Sequence, residues 1–295
     1  MKRLVVFFAL AAVLCASSAL LASPRQDKLD AALLKAASKG DLDVARTLVA
    51  KGANPNAKDK AGECALIDAV IGGNPALVQL LLSHGADASA QDKQGNTPLM
   101  AAAAFRNFQI LSAIVTRAGK TINAKGENGV TALMMACDRD DLTTVKTLVD
   151  HGADVNISSD EHWTALIGAA FGMNAGAQRP QAVDCVRFLL DHKANIDAVA
   201  DYGGTALMCA SSVGNADMVQ LLLERGAKVN IREATYGNTA LIDASQAGSL
   251  ASVKLLLAHG ADVSVANNRG ETALSVASVG GHSAIVEALK GAGAT

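Results

Sequence analysis

Gly95-Asn96-Thr97-Pro98-Leu99 and His151-Gly152-Ala153-Asp154-Val155-Asn156 decide how this chain is read, because both phrases recur along it in altered form. Aligned on Thr97, the first phrase appears as Ala31-Ala32-Leu33-Leu34, Cys64-Ala65-Leu66-Ile67, Thr97-Pro98-Leu99-Met100 and Thr131-Ala132-Leu133-Met134. It returns as Thr164-Ala165-Leu166-Ile167, Thr205-Ala206-Leu207-Met208, Thr239-Ala240-Leu241-Ile242 and Thr272-Ala273-Leu274-Ser275. The spacings are 33, 33, 34, 33, 41, 34 and 33 residues. A Gly-Ala pair follows six of these starts by 21 residues, at Gly52, Gly85, Gly152, Gly226, Gly260 and Gly293. Self-similarity at such a period marks a stack of small units, each too small to bury its apolar face alone.

The residues explain one unit. Thr is placed to cap a first helix and leaves the following Leu facing inward. Small pairs such as Ala36-Ala37 and Ala169-Ala170 let that helix pack closely on its neighbours. A second helix carries apolar residues at helical spacing, as in Met218-Val219-Gln220-Leu221-Leu222-Leu223. The Gly supplies a left-handed cap. Asx-rich segments such as Asn56–Gly62 turn the chain into the next unit.

This pattern resembles the ankyrin repeat, and the resemblance runs from about Gln26 to Thr295. It implies an all-α solenoid of eight helix-turn-helix units joined by short β-turn fingers. The family's His after Leu is replaced everywhere by Ile, Met, Leu or Ser, and its Pro mostly by Ala. Those helix starts lose some side-chain hydrogen bonding but keep the means to fold.

The flanks read differently. Met1–Ala22 has a secretory signal's layout: Lys2 and Arg3, the apolar run Leu4–Leu14, then small residues through Ala19 and Ala22. Residues 23–295 are expected to form the mature repeat domain, located in the periplasm and with no membrane insertion after cleavage. Losing Lys2 and Arg3 takes the formal charge from −2 to −4. That balance argues against a nucleic-acid partner. A polar opening at Arg25–Asp30 and the closing Ala288-Leu289-Lys290 read as caps of an array complete at eight. The fifth unit is longer by about 8 residues, around Asn174–Gln181, a loop insertion of low cost.

Chemistry is sought first among the histidines. His84, His151, His192 and His259 share one repeat position, before the Gly cap or its equivalent, where Lys51 and Arg225 stand elsewhere. A cation there complements the helix dipole. His162 and His282 fall on finger and turn positions. Cys64, Cys137, Cys185 and Cys209 read as packing residues, with a Cys137–Cys185 bridge as the alternative. Asp138, Asp140 and Asp141 around Arg139 lack calcium-loop spacing and read as a solvated turn. No metal, phosphate-loop or nucleophile-elbow motif occurs, so neither an enzyme nor a cofactor is expected.

The aromatics are more telling. In ankyrin-like binders contacts come from finger tips and first-helix ends, here four, three and one before the Thr and seven and eight after it. Seven aromatics lie outside the leader. Trp163, Tyr202 and Tyr236 take finger places, and Phe105 and Phe171 take first-helix ends. Phe108 and Phe188 are expected in the core. The five are therefore the candidate partner-binding residues, since exposed aromatics are common interface anchors.

The expected protein is an exported, non-catalytic, monomeric scaffold that holds a protein partner on its concave face. A chaperone-like accessory factor for an enzyme in the same compartment is the alternative. Export carries its own check. The intact mass of protein from the native host should correspond to a start near Leu20 or Ser23; a soluble species retaining Met1 would contradict it.

Overall fold

The computed structural model describes residues 24–172, 180–201 and 204–295. Met1–Ala22, Tyr202 and most of the repeat-five insertion at 174–181 therefore lie outside the described residues. These residues form sixteen α-helices and no extended strand, as the repeat pattern requires. No described helix is long and apolar enough to cross a membrane. The chain divides into two compact units, Met1–Asp87 and Ala88–Thr295.

The first unit holds two repeats: α1 (Pro24–Ser38) with α2 (Leu42–Ala50), then α3 (Ala65–Ile71) with α4 (Pro75–Ser83). Leu33, Ala37, Ala45, Leu66, Ala69, Leu77 and Leu81 are sealed from solvent between them. The second unit holds six. They are α5 (Pro98–Ala104) with α6 (Phe108–Ala118), α7 (Ala132–Asp138) with α8 (Leu142–Asp150), and α9 (Ala165–Phe171) with α10 (Pro180–Asp191). Then follow α11 (Ala206–Ser212) with α12 (Ala216–Glu224), α13 (Ala240–Gln246) with α14 (Leu250–Ala258), and α15 (Ala273–Val279) with α16 (Ser283–Gly291).

Each first helix after α1 is only 7 residues long. Helices this short do not persist alone in water. Capping and packing supply what length does not. Thr97, Thr131, Thr164, Thr205, Thr239 and Thr272 each accept a hydrogen bond from the N–H three residues on, as expected, while Cys64 makes no such cap. The small residues behind them, among them Ala102, Ala136 and Ala169, are fully buried where helices meet. Second helices are capped by Asp41, Asn74, Asn107, Asp141, Asn215 and Ser249.

The repeated histidines close second helices through hydrogen bonding as well as position. Nδ1 of His84, His151, His192 and His259 lies 2.8–2.9 Å from the carbonyl oxygen four residues back and donates to it. The next residue turns left-handed, with φ +86° at Gly85 and +95° at Gly152. Lys193 takes that turn without glycine, at φ +68°. Helix ends of this kind leave four carbonyls without partners, so an imidazole donor is useful whether or not it is charged.

Two aromatics depart from expectation. Phe108 is the first residue of α6 and is 46% exposed, because its helix begins at the surface. Phe188 is half-buried: its ring lies 4.1 Å from that of His192, and Lys146 Nζ approaches it at 5.9 Å. Neither is a core residue. Cys64, Cys137, Cys185 and Cys209 are buried thiols outside any disulfide, so Cys137 and Cys185 are not bridged.

Neighbouring repeats are clamped by one finger side chain. Asn156 Nδ2 donates to the Lys193 carbonyl at 3.1 Å, and its Oδ1 accepts from Asn195 N at 2.8 Å. Asn123 and Asn230 make the same pair of bonds in the second unit, and Asn56 does so in the first. In the first repeat two residues of α1 divide the work: Gln26 Nε2 donates to Gly52 O, and Asp30 Oδ1 accepts from Asn54 N. Asn156→Ala should lower unfolding stability by about 1–2 kcal/mol, two net hydrogen bonds' worth. Urea denaturation reads this directly, and an unmoved midpoint would show that water replaces the amide.

Candidate functional site

The second unit presents a row of cavities between its fingers and first helices. Each finger is first shaped from within. Asp92 Oδ1 accepts from Gln94 N and Asn96 N, and Asn267 Oδ1 from Arg269 N and Glu271 N. Glu233 performs this in its finger by accepting from the N–H groups of Thr235, Tyr236 and Asn238. Fingers are then joined: Asp160 N donates to Asn128 O, Asp201 N to Glu161 O, and Asn268 N to Tyr236 O. His162, left-handed at φ +59°, adds a 2.8 Å contact to Asp201. Both its partners are well exposed, so this pair contributes little to stability.

Three cavities follow one another along this frame. The first, about 490 Å³, is lined by Val130, Met134, Met135, Asp138, Trp163 and Phe171 among others. The second, about 250 Å³, lies between Trp163, Phe171 and Tyr236, with Met208, Cys209, Glu233 and Asp243. The third, about 590 Å³, runs from Tyr236 and Asn238 to Arg269, Glu271 and Val279. Trp163 and Phe171 thus wall off the first from the second, and Tyr236 separates the second from the third.

The structure brings three of the five candidate residues together. Trp163 and Phe171 are half-buried and meet edge to face, with ring centroids 5.6 Å apart. Tyr236 is 52% exposed, and the Arg269 guanidinium lies 5.7 Å from its ring centroid. Phe105 is the residue closing α5 and is 57% exposed, but it lines none of the three cavities.

Sequence reasoning missed the floor. Met135, Gly168, Cys209, Asp243 and Val276 all stand four residues after the Thr position and line these cavities. The signal was a first-helix position whose occupant changes from repeat to repeat while the adjoining Leu and Ala do not. Asp243 is the most unusual of them. Asn238 Nδ2 donates to its Oδ1 at 2.8 Å. Burial pushes its carboxyl up to about 6, assisted by Glu233 and opposed by the Asn238 bond. Asp68, at the same position in the first unit, is likewise pushed up to about 6, by burial and then by Glu63 and Asp59.

Reactive groups do not gather here. Burial pushes the Cys209 thiol up to about 12 and holds that of Cys137 well above the ordinary thiol range, so both stay protonated. Among the described residues no three His, Cys, Asp or Glu side chains are grouped as a metal site needs.

The comparisons with known proteins agree with this architecture. The family model described as ankyrin repeats matches residues 33–126, 115–178, 173–233 and 230–295. The chain belongs to the ankyrin-repeat family. The protein called ankyrin repeat protein YahD in Escherichia coli (strain K12) is 32% identical over 201 residues, which is 68% of this chain and 98% of that protein. Ankyrin repeat and SOCS box protein 6 of Homo sapiens is 37% identical over 105 residues, 34% of this chain but only 24% of that protein. Its counterpart in Pongo abelii is 36% identical over the same length. Ankyrin repeats suggest a protein-interaction scaffold, and such proteins are typically non-catalytic.

Asp243 allows a test through pH. In the unfolded chain its carboxyl titrates near 3.8, and in the fold near 6. Between those values the folded state binds more protons, so stability falls as pH rises and the cost is fully present above about pH 6. Asp243→Asn should therefore stabilise the protein at pH 7 by about 1–2 kcal/mol, a figure discounted for partial solvent access. The gain should vanish below about pH 4. Melting curves at both pH values check this, and a destabilised variant at pH 7 would refute it.

Proposed function

We propose that this protein is an exported, monomeric, non-catalytic scaffold that holds a partner protein along the finger-and-first-helix face of its second unit. The observation that carries this reading is the run of three cavities divided by Trp163, Phe171 and Tyr236. Large rings that remain partly exposed on a hydrogen-bonded frame lose little conformational freedom when a partner covers them. They are also the side chains that most often dominate binding energy. Export is supported by the Lys2-Arg3, Leu4–Leu14 and Ala19–Ala22 pattern. The absence of signature motifs and the protonated, buried thiols support a binding role over a catalytic one.

Binding and folding effects separate in one series of variants. Trp163→Ala and Tyr236→Ala should leave melting near normal and weaken partner capture by about 2 kcal/mol or more each. Leu189, fully buried in α10, is the folding control, and Leu189→Ala should cost about 2–5 kcal/mol of stability. The assay is affinity capture from the native compartment, with melting measured in parallel. Capture that survives loss of both aromatics would move the binding face elsewhere.

A further inference from the structure

The second cavity has a chemistry of its own. Trp163 and Phe171 form one wall, Tyr236 the opposite one, and Asp243 and Glu233 are the charged groups that border the space. Among the described residues, no lining side chain is cationic. Aromatic faces carry negative electrostatic potential, and so do the two carboxylates. The space of about 250 Å³ is thus surrounded by groups that favour one sign of charge. We propose that this cavity receives a basic side chain, lysine or arginine, of the partner protein.

Three observations support that choice of occupant. Glu233 spends its oxygens on three backbone N–H groups of its own finger, so its charge is fixed in place and cannot turn away. The Asp243 carboxylate uses Oδ1 on Asn238 and, among the described residues, takes no other side-chain hydrogen bond, leaving Oδ2 for a ligand. An apolar occupant would strip water from that oxygen and return nothing, whereas an ammonium or guanidinium replaces the lost hydrogen bond with a charge-assisted one. Next door the same interaction already operates, since Arg269 lies against the Tyr236 ring. The raised titration of Asp243 agrees with this, because a carboxylate partly withdrawn from water without a cation is under-compensated. The proposal rests on the scaffold reading of this face, but its test does not require the partner.

Trp163 is the only tryptophan of the chain, so its indole N–H gives one resolved NMR resonance at the cavity wall. The intact mature protein is titrated at constant ionic strength with N-acetyl-arginine amide, N-acetyl-lysine amide and the neutral isostere N-acetyl-citrulline amide. A saturable shift of the Trp163 resonance is expected for at least one cation, with the isostere at least about tenfold weaker, the discrimination expected when a buried charge loses its partner. The tighter of the two cations names the side chain. Asp243→Asn should reduce cation binding to the level of the isostere, and Tyr236→Ala should weaken it without unfolding the protein. Equal shifts from citrulline and arginine, no shift from either cation, or full binding by Asp243→Asn would each overturn the proposal. Partner capture measured on Asp243→Asn separates the two readings. Partner capture that Asp243→Asn retains at the unsubstituted protein's level leaves the scaffold standing and removes the cation pocket from the interface; saturable cation binding by the unsubstituted protein with no partner captured does the reverse.

Discussion

A side-chain amide reaching from one finger to the next repeat is the interaction on which the rest of this structure depends. Helices of seven and nine residues cannot hold a shape in isolation, and their apolar faces give attraction without register. Asn156 supplies register. Its two bonds fix the Lys193 carbonyl and the Asn195 N–H at once, so the second helix of one repeat ends at a set place relative to the finger before it. Asp197 does half of this in the following repeat, accepting from Lys228 N at 2.9 Å and pairing with its ammonium at 3.3 Å. Asn230 restores the amide in the repeat after that.

Register at the helix ends becomes register at the finger tips. Because Glu161 and Tyr236 lend their carbonyls to Asp201 N and Asn268 N, the fingers cannot slide past one another without breaking backbone bonds. Backbone groups left unpaired would be costly, so the arrangement is stiff for a segment made of turns. Stiffness is what lets Trp163 and Tyr236 stay partly exposed without collapsing onto the nearest apolar surface. His282 shows the same economy just ahead of α16. Its ring fills the space above Gly248 and Gly280, and a Cβ on either would come within 2.8 Å of it.

The sequence made the frame legible because each of its parts is a local rule. A Thr three residues before a free N–H, a Gly where φ turns positive and an Asn at the finger's end each act within a few bonds, or upon the next copy of the same pattern. The finger and first-helix places of Trp163, Phe171 and Tyr236 were legible for the same reason, and these three line the cavities, whereas Phe105 does not and Tyr202 lies outside the described residues. What lay beyond reach depends on several repeats at once. Whether Phe188 is buried is decided by His192 and Lys146 around it, not by its place on α10. Asp243 reads in sequence as one more first-helix acid, and only Asn238, Glu233 and the walls of a neighbouring repeat make it a half-buried one.

The frame and the groove use different residues, and this division explains how one fold carries a chosen surface. Thr239, Leu241 and Ala244 serve packing and capping, and their replacement costs stability. Tyr236, Gln246 and Val279 have no such duty, and the residue type at their repeat positions varies along the chain. Glu233 is the exception, since it both ties its finger and charges the cavity. Asp243 stands at the opposite limit: its ionised form opposes folding at neutral pH, yet the helix it occupies is otherwise regular. A residue that lowers stability and borders a cavity is what a trade between folding and recognition produces. The adjacent cavities differ accordingly, with two methionines lining one, two carboxylates between aromatic walls the next, and an Arg-Glu-Asn set the third. Three different chemistries thus follow one another along the finger-and-first-helix face, each set by residues that packing and capping leave free to vary.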